Sequence, residues 1–200
     1  MAAIIITLST TRYPLHEQPS IAADLHALAN TGAKFSTVYA DPPWRYSNSA
    51  SRGAGSNHYL TMTVDEICSL PVERLVGSSA HLHLWTTNAF LRDAFDVMEA
   101  WGFDFKSSLI WTKPQLGMGN YWRVSHEFLL LGVRGSAPFL DNTCRSWVQH
   151  PRSRHSKKPF AVRALVERVS PGPYLELFGR EEFPRSQCTV FGNQVERRLF

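Results

Sequence analysis

Short apolar runs and amphipathic stretches alternate along this chain, and residues that favour turns separate them. Residues 21–30 have helical spacing, with Ser20 placed to cap the start and Gly32 just past the end. Residues 37–41 read as a buried strand that continues the apolar run begun at Phe35. Thr63-Val64-Asp65-Glu66 has the spacing of a capping box and predicts a helix to about Leu70, before Pro71. The pattern then predicts a strand at 81–86, an amphipathic helix at 88–101 stopped by Gly102, and strands at 107–112 and 127–133. A helix at 158–169 follows, closed by Ser170-Pro171-Gly172-Pro173, and the last strands fall at 174–178 and 189–191. Strands alternating with helices imply an α/β fold: a largely parallel sheet with helices on both faces and ligands at its carboxyl edge.

The 200 residues suit one domain, with about residues 1–19 as an N-terminal extension. The opening Met1-Ala2-Ala3-Ile4-Ile5-Ile6-Thr7-Leu8 is apolar but short and lacks a basic lead, so neither a signal peptide nor a membrane span is expected. Cys68, Cys144 and Cys188 show no paired spacing, which argues against a disulfide framework or zinc site and for a reducing cytoplasm. His81 and His83 share a strand face but lack a third ligand, so they read as satisfied, half-buried residues and no metal is expected.

Net charge is only +4, yet it is concentrated. Arg145, Arg152, Arg154, Lys157, Lys158, Arg163 and Arg168 lie in one segment whose single acidic residue is Glu167. Such a run is either a solvated face or a phosphate-attracting surface beside a cleft. Three stretches read as loops: 47–57, rich in Gly and Ser and expected to act as a lid; 114–121, with Gly117 and Gly119; and 141–156.

Candidate chemistry is densest at Asp41-Pro42-Pro43-Trp44, directly after the first strand. Prolines have no N–H and hold an extended backbone, so this segment offers a carboxylate, two carbonyls expected to be free acceptors, and an aromatic plate. A flat base bearing an exocyclic amine suits that set, adenine above all, with the amine held by Asp41 and the Pro42 carbonyl and the ring stacked on Trp44. Taken alone, the tetrapeptide also fits a strand running into a Pro-terminated turn.

The tetrapeptide is joined by Tyr59 with Thr61-Met62, Leu84-Trp85, Ile110-Trp111-Thr112-Lys113, His126-Glu127, Lys158-Pro159, Ser170-Pro171-Gly172, Glu176-Leu177-Phe178-Gly179-Arg180 and Phe191-Gly192-Asn193-Gln194. In content and order these motifs, spanning about Asp24 to Gln194, resemble the adenine methyltransferases that include the catalytic subunit of the eukaryotic messenger-RNA adenosine methyltransferase and its bacterial and phage relatives. The resemblance implies a Rossmann-like S-adenosylmethionine-dependent methyltransferase fold with permuted motif order, the catalytic motif preceding the cofactor motif. It implies Asp41, Pro42, Pro43 and Trp44 as the catalytic group. It implies cofactor contacts from Asp24, Leu25, Asp41, Lys158, Phe178, Arg180, Asn193 and Gln194, with Lys158 on the methionine carboxylate.

Substrate contacts are expected from Trp44, Tyr59, Lys113, His126, Glu127, Arg152 and Arg154, although Tyr59, His126 and Glu127 fit structural roles nearly as well. Glu181-Glu182-Phe183-Pro184 departs from the family pattern and puts one ribose contact in question. The expected reaction is transfer of a methyl group to the 6-amino group of adenine in nucleic acid. DNA is the favoured polymer and RNA the alternative. A non-catalytic nucleic-acid-binding partner of the same fold is the competing reading. No membrane association is expected, and the resemblance accommodates a homodimer or a homologous partner subunit.

Overall fold

In the computed structural model, which describes residues 21–45, 61–117, 119, 121–152, 157–179 and 188–192, helices and strands alternate as the pattern predicts. Helix α1 (Ile21–Asn30) leads into β1 (Phe35–Ala40), and α2 (Val64–Cys68) and α3 (Val72–Leu75) precede β2 (Val76–Thr86). Helix α4 (Leu91–Ala100) connects to β3 (Asp104–Thr112), followed by β4 (His126–Arg134), β5 (Trp147–Gln149), α5 (Phe160–Val169), β6 (Tyr174–Leu177) and β7 (Cys188–Phe191). One sheet holds the strands in the order β5-β3-β4-β2-β1-β6-β7. Strand β1 lies parallel to β2 and β6, β6 to β7 and β3 to β5, while β4 is antiparallel to both β2 and β3. Among these strands β4 alone runs against the rest, so its first residues lie at the edge where β1, β2 and β3 end.

Alternate side chains sort onto two faces. Val38, Leu82, Leu84, Leu175 and Leu177 face a core completed by Leu25 of α1, Ile67 of α2 and Met98 of α4. Tyr39, Trp85, Trp111 and Leu129 face a second, smaller core completed by Val162 and Val166 of α5. Both faces are therefore covered, as parallel strands require.

Local chemistry sets the element ends. The capping box forms, with the Thr63 N–H donating to Glu66 Oε2 at 2.7 Å and the Glu66 N–H to Thr63 Oγ1 at 3.2 Å. Gly32 and Gly102 end α1 and α4 at φ of 77° and 78°, where a side chain would be strained.

Several boundaries differ from the sequence reading. Strand β2 starts at Val76, because the polar Gly77-Ser78-Ser79 obscures a strand whose first residue pairs with Phe35. Helix α5 starts at Phe160, since Pro159 stands at its N-cap in extended geometry and leaves Lys158 outside the helix. The predicted loop 141–156 contains β5, whose Trp147 and Gln149 are exposed and give no apolar alternation. The four-residue α3 is also absent from the pattern reading. The expected lid 47–57, Ser20 as a cap and the 1–19 extension lie outside the described residues.

His81 and His83 are more buried than expected, at 1% and 5% exposed, and both lie 2.8 Å from Ser170 Oγ at the end of α5. The Ala137 carbonyl, 3.3 Å from His81 Nε2, can only accept, so that nitrogen carries a proton. His81 Nδ1 then accepts from the Ser170 hydroxyl, which accepts in turn from His83 Nε2. Burial pushes His83 down to about 3, with His81 adding to the effect, and burial lowers His81 as well. A depressed folded value means that only the unfolded chain takes up protons as pH falls below its ordinary value of about 6.5. Stability present above pH 6.5 should therefore decline toward pH 3, on the order of 1 kcal/mol per pH unit from His83. Denaturant titrations should show this loss reduced in His83→Gln.

Candidate active site

Asp41 immediately follows β1, and its backbone N–H reaches the Leu177 carbonyl of β6 at 3.4 Å. Glu127 lies at the start of β4, opposite Trp111 in the pairing with β3. Lys158 precedes α5, and Lys113 follows β3. The reversed direction of β4 brings these four residues, far apart in sequence, to one edge. Lys158 Nζ lies 2.7 Å from Asp41 Oδ1 and 3.2 Å from Glu127 Oε2, while Lys113 is bonded to Glu127 Oε1. The result is a chain of alternating charges, Asp41–Lys158–Glu127–Lys113. Two aromatic rings back it: Lys158 Nζ sits 5.3 Å from the Trp85 ring centre and Lys113 Nζ 4.3 Å from that of Trp111.

Burial opposes charge on Lys158, but Asp41 and Glu127 outweigh it and hold the ammonium above its ordinary range. Burial likewise pushes Glu127 up, yet Lys158 and Lys113 together keep its carboxyl below the usual range. For Lys113 burial prevails over Glu127, and its value falls. The cluster therefore holds two carboxylates against two ammonium groups, balanced in formal charge.

Both proline carbonyls, expected to be free, already accept backbone bonds. The Trp44 N–H donates to Pro42 O at 2.9 Å, closing a tight turn about Pro43, and the Met62 N–H donates to Pro43 O at 2.8 Å. Each carbonyl retains one lone pair, so Pro42 has capacity for one further donor.

Trp44 is also not an open plate. Its ring stacks on Phe90 at 5.4 Å and 15°, its Nε1–H donates to the Trp85 carbonyl at 3.2 Å, and it is 9% exposed within the first core. Trp44→Ala should cost about 3 to 5 kcal/mol of stability, as expected for emptying an aromatic core site. Trp44→Phe, which keeps the ring stack and loses one hydrogen bond, should cost far less in the same denaturant titration.

Other expected contacts separate. His126, one residue before Glu127, points to the opposite face and meets the Phe128 ring edge-on at 5.1 Å. Leu25 is fully buried in the first core, and Asp24 is not among the residues that line the cleft beside Asp41. That cleft lies between the ends of β1 and β6 and the start of α5, and Asp41, Lys158, Pro159, Phe178 and Gly179 line it. Phe178 adopts φ of 64°, unusual for a residue with a side chain. A Cβ at Gly179 would meet Val190 Cγ1 at 2.4 Å, and one at Gly192 would meet Gly179 O at 1.9 Å. The ends of β6 and β7 therefore approach this closely only as glycines.

The basic segment is also divided. Arg163 pairs with Glu176 at 2.6 Å in the wall of the cleft, and Arg168 pairs with Asp141, whereas Arg145 and Arg152 are exposed. The Arg163–Glu176 pair and Phe90 are absent from the sequence reading. A charged residue at a core-facing position of α5 and another inside the apolar strand Tyr174–Leu177 were the signals for the ion pair. Tyr59, Arg154, Arg180, Asn193, Gln194 and the departure at 181–184 lie outside the described residues.

A largely parallel sheet that gathers an Asp-Pro-Pro-Trp strand end, a lysine ahead of a helix and a glycine-tight strand edge around one cleft marks a Rossmann-like methyltransferase with permuted motif order. A family model, MT-A70, matches residues 35–194, and the chain belongs to that family. It is similar to the Type II methyltransferase M.MunI of Mycoplasma sp, 28% identical over 172 residues that cover 75% of this chain and 74% of that protein. An N(6)-adenosine-methyltransferase MT-A70-like protein of Drosophila melanogaster is 31% identical over 94% of this chain and 31% of its own length. The N(6)-adenosine-methyltransferase catalytic subunit METTL3 of Homo sapiens is 29% identical over 82% of this chain and 28% of its own length. The chain thus spans about three quarters of the Mycoplasma protein and under a third of the two animal proteins. Among the described residues no helix is long and apolar enough to cross a membrane.

Proposed function

We propose that this chain is a catalytically active adenine methyltransferase that uses S-adenosylmethionine and acts on DNA. The observation that carries the reading is the ion-paired Asp41–Lys158–Glu127 cluster at the carboxyl edge of the sheet. A partner that only binds nucleic acid has no need of a carboxylate ion-paired to a lysine in the wall of a cleft. The cleft fits the cofactor in two respects: Gly179 and Phe178 offer a close backbone wall to a flat adenosyl group, and Lys158 offers an ammonium to a carboxylate. Arg180, Asn193 and Gln194 are proposed to complete that site. When bound, S-adenosylmethionine supplies a methyl group already activated by its sulfonium.

The remaining work falls to the protein. Asp41 accepts one N–H of the adenine amine, and the remaining lone pair of Pro42 O accepts the other. Both bonds strengthen as positive charge develops on the nitrogen, so they stabilise the transition state more than the bound substrate. Lys158 and Glu127 hold the Asp41 carboxylate in one orientation, which limits the loss of alignment before reaction.

The match over most of the Mycoplasma protein's own length supports DNA. The equally high identity to the animal N(6)-adenosine-methyltransferases keeps RNA as the second reading. A cytoplasmic location is part of this proposal, on the ground that the three cysteines show no paired spacing in the sequence. Incubation with methyl-labelled cofactor and matched single- and double-stranded DNA and RNA, followed by nucleoside analysis, should place the label in N6-methyldeoxyadenosine. Label confined to the ribonucleoside would overturn the DNA assignment. Absence of label from all four polymers would overturn the activity.

A further inference from the structure

Near the catalytic edge, large aromatic side chains stand in solvent. Tyr121 is 96% exposed and Trp122 88%, both in the β3–β4 connection, and Trp147 of the neighbouring β5 is 47% exposed. Isolated exposed apolar residues are common, but three large rings with arginines beside them in sequence are a different surface. Residues 121–126 and 145–152 contain Arg123, Arg145 and Arg152 and no Asp or Glu.

Contacts among the described residues tie the two ends of this connection together. The Lys113 N–H donates to Ser125 O at 2.7 Å and closes the base of the connection. A Cβ on Gly117 would meet Val124 O at 2.1 Å and an Arg152 guanidinium nitrogen at 2.7 Å, so the returning backbone packs against a buried glycine. The Arg152 N–H donates to Gln115 Oε1 at 3.1 Å, which ties the segment after β5 to the same connection. Arg145 lies 5.8 Å from the Trp147 ring centre. At its base the connection continues into Glu127, bonded to both Lys113 and Lys158, and so leads directly to Asp41.

We propose that Tyr121, Trp122 and Trp147, with Arg123, Arg145 and Arg152, form a stacking platform for an unpaired strand of nucleic acid leading into the active site. The inference rests on the nucleic-acid reading of that site and adds the class of substrate. Every base has a flat face, and only unpaired bases expose both faces to a protein ring, while guanidinium groups meet the phosphates between them. A platform of rings with interspersed cations therefore selects single-stranded or locally unpaired nucleic acid over an intact duplex. Such a strand also presents its adenine without the cost of flipping it out of a helix.

The test is fluorescence anisotropy of a labelled adenine-containing DNA oligonucleotide, single-stranded and as a duplex, with the full chain. Trp122→Ala and Tyr121→Ala should each weaken single-strand binding about 5- to 100-fold, and Trp122→Phe should restore most of it. Arg123→Gln should flatten the slope of log affinity against log salt by about 0.7. Melting temperature and affinity for S-adenosylmethionine should not change, because both rings lie outside the core and the cleft. Unchanged single-strand affinity in both alanine variants overturns the platform. So does an equal loss on duplex and single strand. Should the variants instead alter oligomeric state in sedimentation and leave affinity intact, the rings serve self-association and the proposal falls. If the wild-type chain binds single strands through these rings but methylates none, the methyltransferase assignment fails and the platform stands.

Discussion

Asp41→Ala should lower turnover by about 100-fold or more, the scale seen when a single hydrogen-bonding group that acts on developing charge is removed. The substitution removes the acceptor on which the amine depends, and it also frees Lys158 from one of its two carboxylates. Losing a hydrogen bond to a charged group costs about 1 to 3 kcal/mol, and partial exposure of Asp41 places the expected stability loss toward the lower end. The protein should therefore stay folded with much reduced activity. Asp41→Asn sharpens the test, since it keeps the size and one acceptor oxygen but removes the negative charge. Turnover in Asn as low as in Ala would assign the effect to charge, and near wild-type turnover in either variant would remove Asp41 from the chemistry. Single-turnover kinetics with saturating nucleic acid and cofactor give the relevant rate, because binding losses then drop out.

How the site could be read from the sequence differs residue by residue. Position was legible: Asp41 falls at the end of an apolar run, and an alternating strand and helix pattern sends such ends to one edge of the sheet. The capping box at Thr63 and the glycine stops at Gly32 and Gly102 were legible for the same reason, since each depends on neighbours within a few residues. Partnership was not. Nothing local to Lys158 indicates that its ammonium meets Asp41 and Glu127, because that meeting requires β4 to run against the other strands. The prolines showed which hydrogen-bond donors were missing, but not that Trp44 and Met62 would bond to their carbonyls.

Aromatic residues show the same limit. Trp44 beside an acid and two prolines looks like a platform, yet Phe90, supplied from beyond β2, stacks on its ring. Trp122, just past the predicted loop 114–121, drew no reading from the sequence, yet its ring stands in solvent beside Tyr121. Whether a ring serves the core or the surface is decided by the packing of distant elements, and one-dimensional spacing carries little of that information. Charge runs are ambiguous in the same way: Arg163 and Arg152 lie in one basic segment, but α5 turns the first inward to Glu176 and leaves the second outside.

Lys158→Ala should produce the other large effect, and its pattern distinguishes the ion-paired cluster from a simple cofactor clamp. The variant leaves Asp41 and Glu127 with Lys113 as the remaining cation, so the cluster changes from balanced to singly negative. Removing one partner from a buried pair costs about 3 to 5 kcal/mol, because the abandoned charge stays where water is scarce. Burial already pushes Glu127 upward, and without Lys158 that influence gains over Lys113, so its folded value should rise from below the ordinary carboxylate range. In the wild type Glu127 adds stability at neutral pH that is lost as pH falls through its lowered value. In Lys158→Ala the sign should reverse if the folded value passes the unfolded one: a carboxyl more easily protonated in the folded chain makes stability recover as pH falls from 7 toward 5. Lys158→Ala combined with Glu127→Gln should regain only part of the lost stability at neutral pH, because the abandoned Glu127 charge is removed while Asp41 still lacks Lys158 and Lys113 loses Glu127. Cofactor affinity measured by calorimetry should fall at least about tenfold in both variants, the worth of one charge-assisted contact. Recovery of cofactor affinity along with stability in the double variant would show that Lys158 only neutralises Glu127 and does not touch the cofactor.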